Sequence, residues 1–118
     1  MTAQSILERL VVSCPDFGAY WNDPGNCFRE DDGSFTIHGV FADFSGYFRE
    51  QYEQLPRGQE AALGALVSEW AASTDEDLAN ATATCFLENV SGERCSRDLR
   101  QRLHGEALRY FLRWDNSA

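Results

Sequence analysis

The sequence predicts an all-α protein, a compact bundle of about five helices with one long irregular loop after the first. Three observations lead there. Apolar residues return every three or four positions in five separate stretches of the 118 residues. Helix-capping and helix-breaking residues fall between those stretches rather than inside them. Eight Phe, four Tyr and three Trp supply large side chains for one core, and the length suits one domain spanning 1–118.

The elements follow in order. The first helix spans about Thr2 to Ser13, with Ile6, Leu7, Leu10 and Val11 as its apolar stripe and Ser5 with Glu8 as a capping-box pair. Pro15 stops it. A long helix starts between Ser34 and Ile37 and reaches about Gln54, with Ile37, Phe41, Phe44 and Phe48 on one face and Val40 and Tyr47 beside them. Gly39 and Gly46 weaken it slightly and would let another helix come close. Pro56-Arg57-Gly58 ends that run. A third helix covers about Gln59 to Ala72, facing inward through Leu63, Leu66, Val67 and Trp70. Thr74 and Asp77 read as the cap and acidic first turn of a fourth, about Asp75 to Val90, whose apolar side is Leu78, Ala81, Cys85 and Phe86. Ser96 caps a fifth that reaches about Trp114, with Leu99, Leu103, Leu108, Phe111 and Leu112 as its stripe.

The stretch Cys14–Gly33 fits no regular element. Pro15, Gly18, Pro24, Gly25 and Gly33 punctuate it, and Asn22-Asp23-Pro24-Gly25-Asn26 is a strong turn signal. A weakly signalled hairpin would pair Cys27-Phe28-Arg29 with Ser34-Phe35-Thr36. Loops of about 20 residues are uncommon in small domains and often functional. This one mixes Phe17, Tyr20, Trp21 and Phe28 with Asp16, Asp23, Glu30, Asp31 and Asp32. Such a mixture suits a recognition surface, and it equally suits an aromatic lid over the core with solvated acids around it.

Charge narrows the partners. All ten basic residues are Arg, nineteen residues are acidic, and the net charge is −9. That balance disfavours a general nucleic-acid binder and favours steering towards a basic protein. Glu60, Glu69, Asp75, Glu76, Asp77, Glu88 and Glu93 lie in a stretch without any base, while six Arg fall between Arg94 and Arg113. The simplest account packs the basic last helix beside the acidic third and fourth. No apolar run is long enough to span a bilayer, and the N-terminus lacks secretory features, so a cytoplasmic protein with no membrane association is expected.

No catalytic or metal constellation is legible. Cys14, Cys27, Cys85 and Cys95 are separated by 13, 58 and 10 residues, which gives no zinc pattern. Free thiols are expected, with a Cys14–Cys27 bridge as the alternative. His38 and His104 read as helix-face residues, and a catalytic use of His38 would require Glu30 or Asp32 in the same cleft. Asp23, Asn26 and Glu30–Asp32 lack the spacing of a twelve-residue calcium loop. Neither a cofactor nor a metal is expected, and the chain is not read as an enzyme.

Pro15-Asp16-Phe17, Asp32-Gly33-Ser34-Phe35-Thr36-Ile37-His38-Gly39-Val40-Phe41, Cys85-Phe86-Leu87-Glu88-Asn89 and Leu108-Arg109-Tyr110-Phe111-Leu112-Arg113-Trp114 together cover much of the chain. In these segments the sequence resembles an uncharacterised bacterial family of small acidic helical proteins, of the immunity type found beside antibacterial toxins. The resemblance implies a protein that binds and neutralises a cognate toxin by occluding its active site, without catalysis. The expected contact residues are Asp16, Tyr20, Trp21, Asp23, Glu30, Asp31 and Asp32, against a toxin with a basic surface. A regulatory or adaptor domain that binds a host protein is the alternative, and the Phe-rich helix offers a face for a homodimer.

Overall fold

The computed structural model describes residues 1–115, which form helices joined by turns and short irregular segments; no strand occurs among them. Helix α1 (Ala3–Ser13) is capped one turn earlier than the sequence suggests. Thr2, not Ser5, is the N-cap: its hydroxyl accepts the Ser5 N–H at 3.1 Å, and the Ser5 hydroxyl accepts the Thr2 N–H at 3.0 Å. Glu8 instead takes the Gln4 amide.

The long loop is not wholly irregular. Its first half closes into a short helix, α2 (Phe17–Trp21), that buries Phe17 and Trp21. Phe17 meets Phe44 edge-on at 4.9 Å, and Trp21 meets Phe35 at 5.1 Å. Two apolar residues four apart, one turn of helix, are enough to dock this segment on the core. The hairpin reduces to a turn: the Glu30 N–H donates to the Ser34 carbonyl and the Gly33 N–H to the Glu30 carbonyl, with Gly33 at φ 86°. All four cysteines are free thiols, Cys14 buried and Cys27 exposed, so the Cys14–Cys27 bridge does not form.

Helix α3 (Ile37–Gln51), capped by the Thr36 hydroxyl, continues into a 3-10 turn at Tyr52–Gln54. Phe41, Phe44, Tyr47 and Phe48 are buried in this chain's own core. That burial takes away the face on which a homodimer through this helix would rest. Helix α4 (Arg57–Ala71) buries Leu63, Leu66, Val67 and Trp70 as its periodicity requires. Phe41 and Trp70 pack edge-on at 5.6 Å and join α3 to α4.

The fourth predicted helix is three pieces: α5 (Glu76–Ala81), a π turn (Thr82–Leu87) and α6 (Glu88–Val90). Its cap is Asp75, whose carboxylate accepts the Leu78 N–H at 3.2 Å, so the cap sits one residue beyond Thr74. The buried pairs Ala81–Thr82 and Phe86–Leu87 lie five apart, whereas an α-helix returns to a face after three or four. One wide turn absorbs the difference, and the Glu88 N–H reaches back five residues to the Ala83 carbonyl. Phe86 then meets both Phe44 and Phe48. Cys85, placed by its sequence position on the apolar side, is only half-buried.

The predicted fifth helix is also broken, into α7 (Ser96–Arg100) and α8 (Gly105–Trp114). Cys95 holds the N-cap position, and Ser96 is buried inside the first turn. The break is tertiary in origin. A Cβ on Gly64 of α4 would stand 2.4 Å from the Arg102 Cβ and 2.6 Å from the Arg102 carbonyl oxygen, so the 101–104 connection lies directly on the glycine. The His104 N–H donates to the buried Ser68 hydroxyl, and Gly105 turns the chain at φ 61°. The α8 stripe is rephased accordingly: Ala107 and Phe111 are buried, and Leu112 is exposed. The Arg-rich region does meet acids of earlier elements, through Arg102–Glu60 at 3.5 Å and Arg94–Glu53 at 2.8 Å. Tyr110 donates to Glu88 at 3.2 Å. No helix among the described residues is long and apolar enough to cross a membrane.

Candidate functional site, an acidic cleft under the loop

Residues 22–34 fold by hydrogen bonds from short polar side chains to nearby backbone. The Gly25 N–H donates to Asp23 Oδ1 at 2.7 Å and the Phe28 N–H to Asn26 Oδ1 at 2.8 Å. Asn26 Nδ2 donates to the Trp21 carbonyl at 2.7 Å. Asp32 Oδ1 accepts both the N–H and the hydroxyl of Ser34. Asn and Asp favour such turns because the side chain replaces a backbone acceptor. The loop is thereby shaped mainly by its own polar side chains.

It docks on the two glycines of α3. The backbone and Cβ of Phe28 lie over Gly39, and the Tyr20 hydroxyl lies 3.0 Å from where a Gly46 Cβ would stand. The expected close approach at these glycines is thus made by the loop and α2. Between loop and helix lies an open cleft of about 200 Å³ lined by Tyr20, Asp23, Gly25, Asn26 and Asp43. A shallower depression of about 500 Å³ on the outer side of the loop is lined partly by Cys27, Arg29, Glu30 and Asp31.

Asp43 is the electrostatic centre of the cleft. Its Oδ2 is buried and has no hydrogen-bond partner within the protein, and the same holds for Arg29 Nε. Burial pushes the Asp43 carboxyl up to about 6; Arg29 opposes the rise, while Asp23 and Glu50 add to it. Arg29 is instead anchored through Nη2 on the Asp23 carbonyl at 3.2 Å. The phenol of Tyr20 is raised by burial and by the Glu50 and Asp43 carboxylates beside it, with Arg49 acting the other way. The cleft therefore offers acceptor groups and negative charge. A buried carboxylate oxygen without a partner is costly, and a cationic donor entering from solvent would satisfy it.

The predicted contact residues separate on this frame. Tyr20 and Asp23 line the cleft, Glu30 and Asp31 line the outer depression, and Asp16 is exposed at the start of α2. Asp32 is held by its turn, and its carboxyl is lowered by the bonds from Ser34. Trp21 is 3 % exposed and belongs to the core. His38 contacts Cys85 rather than Glu30 or Asp32. No three His, Cys, Asp or Glu side chains among the described residues are grouped to hold a metal. Asp43, Asn26, Arg29 and Glu50 were not among the expected contacts. The available signal was Asp43 itself, an acid set directly between Phe41 and Phe44 in the most aromatic helix.

A family model described as a domain of unknown function, DUF7674, matches residues 7–115. The chain belongs to the DUF7674 family. The match runs from α1 to the residue after α8 and includes the whole cleft. No curated protein and no solved structure matches the chain.

Proposed function

We propose that this DUF7674 protein acts by binding, as an immunity-type protein whose acidic cleft receives a basic side chain of a toxin and thereby occludes the toxin's active site. The observation that carries the reading is the partnerless Asp43 carboxylate oxygen in a solvent-open cleft beside Asp23 and the Tyr20 hydroxyl. An Arg or Lys entering there would convert a buried, unsatisfied acceptor into a charge-assisted pair. The net charge of −9 would speed the approach of a basic partner. The resemblance to immunity proteins supplies the toxin as the partner's class.

The test is co-expression with the toxin-like product of the adjacent gene, scored by growth, together with calorimetric binding at several salt concentrations. The wild type is expected to restore growth and to bind with strong salt dependence. An Asp23→Asn/Asp43→Asn double variant is expected to bind about 100-fold more weakly. Unchanged affinity and salt dependence in the double variant would remove the cleft from the interface. Cleft-dependent binding to a host protein without growth rescue would replace the toxin by an adaptor's partner.

A further inference from the structure

The π turn and the first turn of α3 bring together two side chains that the cleft does not use. His38 Nδ1 lies 3.3 Å from Cys85 Sγ, across 47 residues of sequence. Both residues are half-buried rather than enclosed in the core. The wide turn positions the sulfur: the neighbouring Thr84 hydroxyl donates to the Asn80 carbonyl at 2.8 Å and lies 3.6 Å from Cys85 Sγ. Asn89 Nδ2 holds the Cys85 carbonyl at 2.7 Å. π turns are frequent where a helix must aim a side chain for function. The other thiols differ. Cys14 and Cys95 are buried and each is pushed up to about 11 by desolvation, and Cys27 is exposed with no imidazole at its sulfur.

We infer that Cys85 is a thiol–disulfide exchange site, with His38 as its base and a low-molecular-weight disulfide as its co-reactant. The thiol proton passes from Cys85 Sγ to His38 Nδ1. The thiolate attacks one sulfur of the disulfide, a new S–S bond forms as the old one breaks, and the departing thiolate takes the proton from the imidazolium. Cys85 is oxidised to the mixed disulfide and one half of the reagent is reduced to its thiol, so no other oxidant enters. Attack at a disulfide sulfur needs an in-line approach and no oxyanion donors, which is all that a nucleophile–base pair on a helix seam supplies. Because the π turn packs against α3, an adduct at this sulfur would wedge the seam that joins Phe86 to Phe44 and Phe48.

The test uses the full chain with oxidised glutathione at neutral pH, followed by site-resolved mass spectrometry of each cysteine. Exposed Cys27 is the internal control. Cys85 is expected to form the mixed disulfide about tenfold faster than Cys27 despite its lower exposure, and His38→Gln to reduce the Cys85 rate about tenfold while leaving Cys27 unchanged. The modified chain should melt earlier than the unmodified one. A Cys85 rate at or below that of Cys27 in the wild type overturns the assignment, and this comparison needs no variant to fold. A folded His38→Gln chain with an unaltered Cys85 rate overturns it equally.

Discussion

The segment between α1 and α3 is two materials joined end to end. Residues 14–21 are core: Cys14, Phe17 and Trp21 are buried against α3 and its flanking residues. Residues 22–34 are surface, folded by Asp23, Asn26 and Asp32 onto their own backbone. The first half is stabilised by the removal of apolar area from water, the second by local hydrogen bonds of modest net worth. The cleft forms where they meet, Tyr20 coming from one half and Asp23 with Asn26 from the other. A half anchored in the core and a half shaped mainly by its own polar side chains is a workable plan for a binding loop.

Substitutions in the two halves should therefore differ in size and in kind. The largest effect is expected at Phe17→Ala, which opens a cavity beside Phe44 and Tyr47 and should cost about 3–5 kcal/mol in chemical denaturation. A loss below about 1 kcal/mol would show that the first half is not core in this sense. Asn26→Ala removes the bonds to the Trp21 carbonyl and the Phe28 amide and should cost about 1–2 kcal/mol. Amide exchange should accelerate at Phe28 and leave the amides of α2 protected.

At Asp43 the expected sign reverses. Its folded carboxyl sits at about 6, above the ordinary 3.8, so between those values the unfolded chain gives up its proton first. Wild-type stability should fall as pH rises through that window and contribute no further change above it. Asp43→Asn should remove this slope and stabilise the chain at pH 7 by about 1 kcal/mol, because solvent on the open side of the group screens part of the burial. A variant that is more stable yet binds its partner less well would mark Asp43 as kept for function. Equal or lower stability at pH 7, with the slope intact, would remove burial as the cause of the shift. The smallest effect is expected at Asp31→Ala, within about 0.5 kcal/mol of wild type in thermal unfolding.

Legibility in the sequence followed the same division. The all-α fold, the stripes of α1, α3 and α4, and the turn at Asn22–Asn26 could be read from periodicity and breakers, because local preference and the core agree there. α2 was not legible, since five residues carry too little periodicity to separate from a loop. The 101–104 break was hidden because its cause is Gly64 on another helix, and Gln101-Arg102-Leu103 alone favour helix. For the cleft, Tyr20 and Asp23, singled out by composition, are among the lining residues. Asp43 was missed because a helix patterned for burial on one face does not say which polar residue a distant loop will cover. Trp21 was misplaced for the converse reason: aromatic residues serve interfaces and cores alike, and only packing decides between them.

The π turn has a consequence for register. A wide turn holds one residue more between its buried positions than an α turn does, so the segment 82–87 carries one residue beyond what α geometry needs. Removing one residue there, Ala83 for instance, should restore an ordinary helix, keep Phe86 and Leu87 inward, and carry the 84–85 pair to a new azimuth. A chain one residue shorter in this segment would then keep the core and no longer hold the sulfur against the imidazole of α3. The spacing of one residue thus sets a side-chain pairing on the surface of the seam without setting the architecture beneath it.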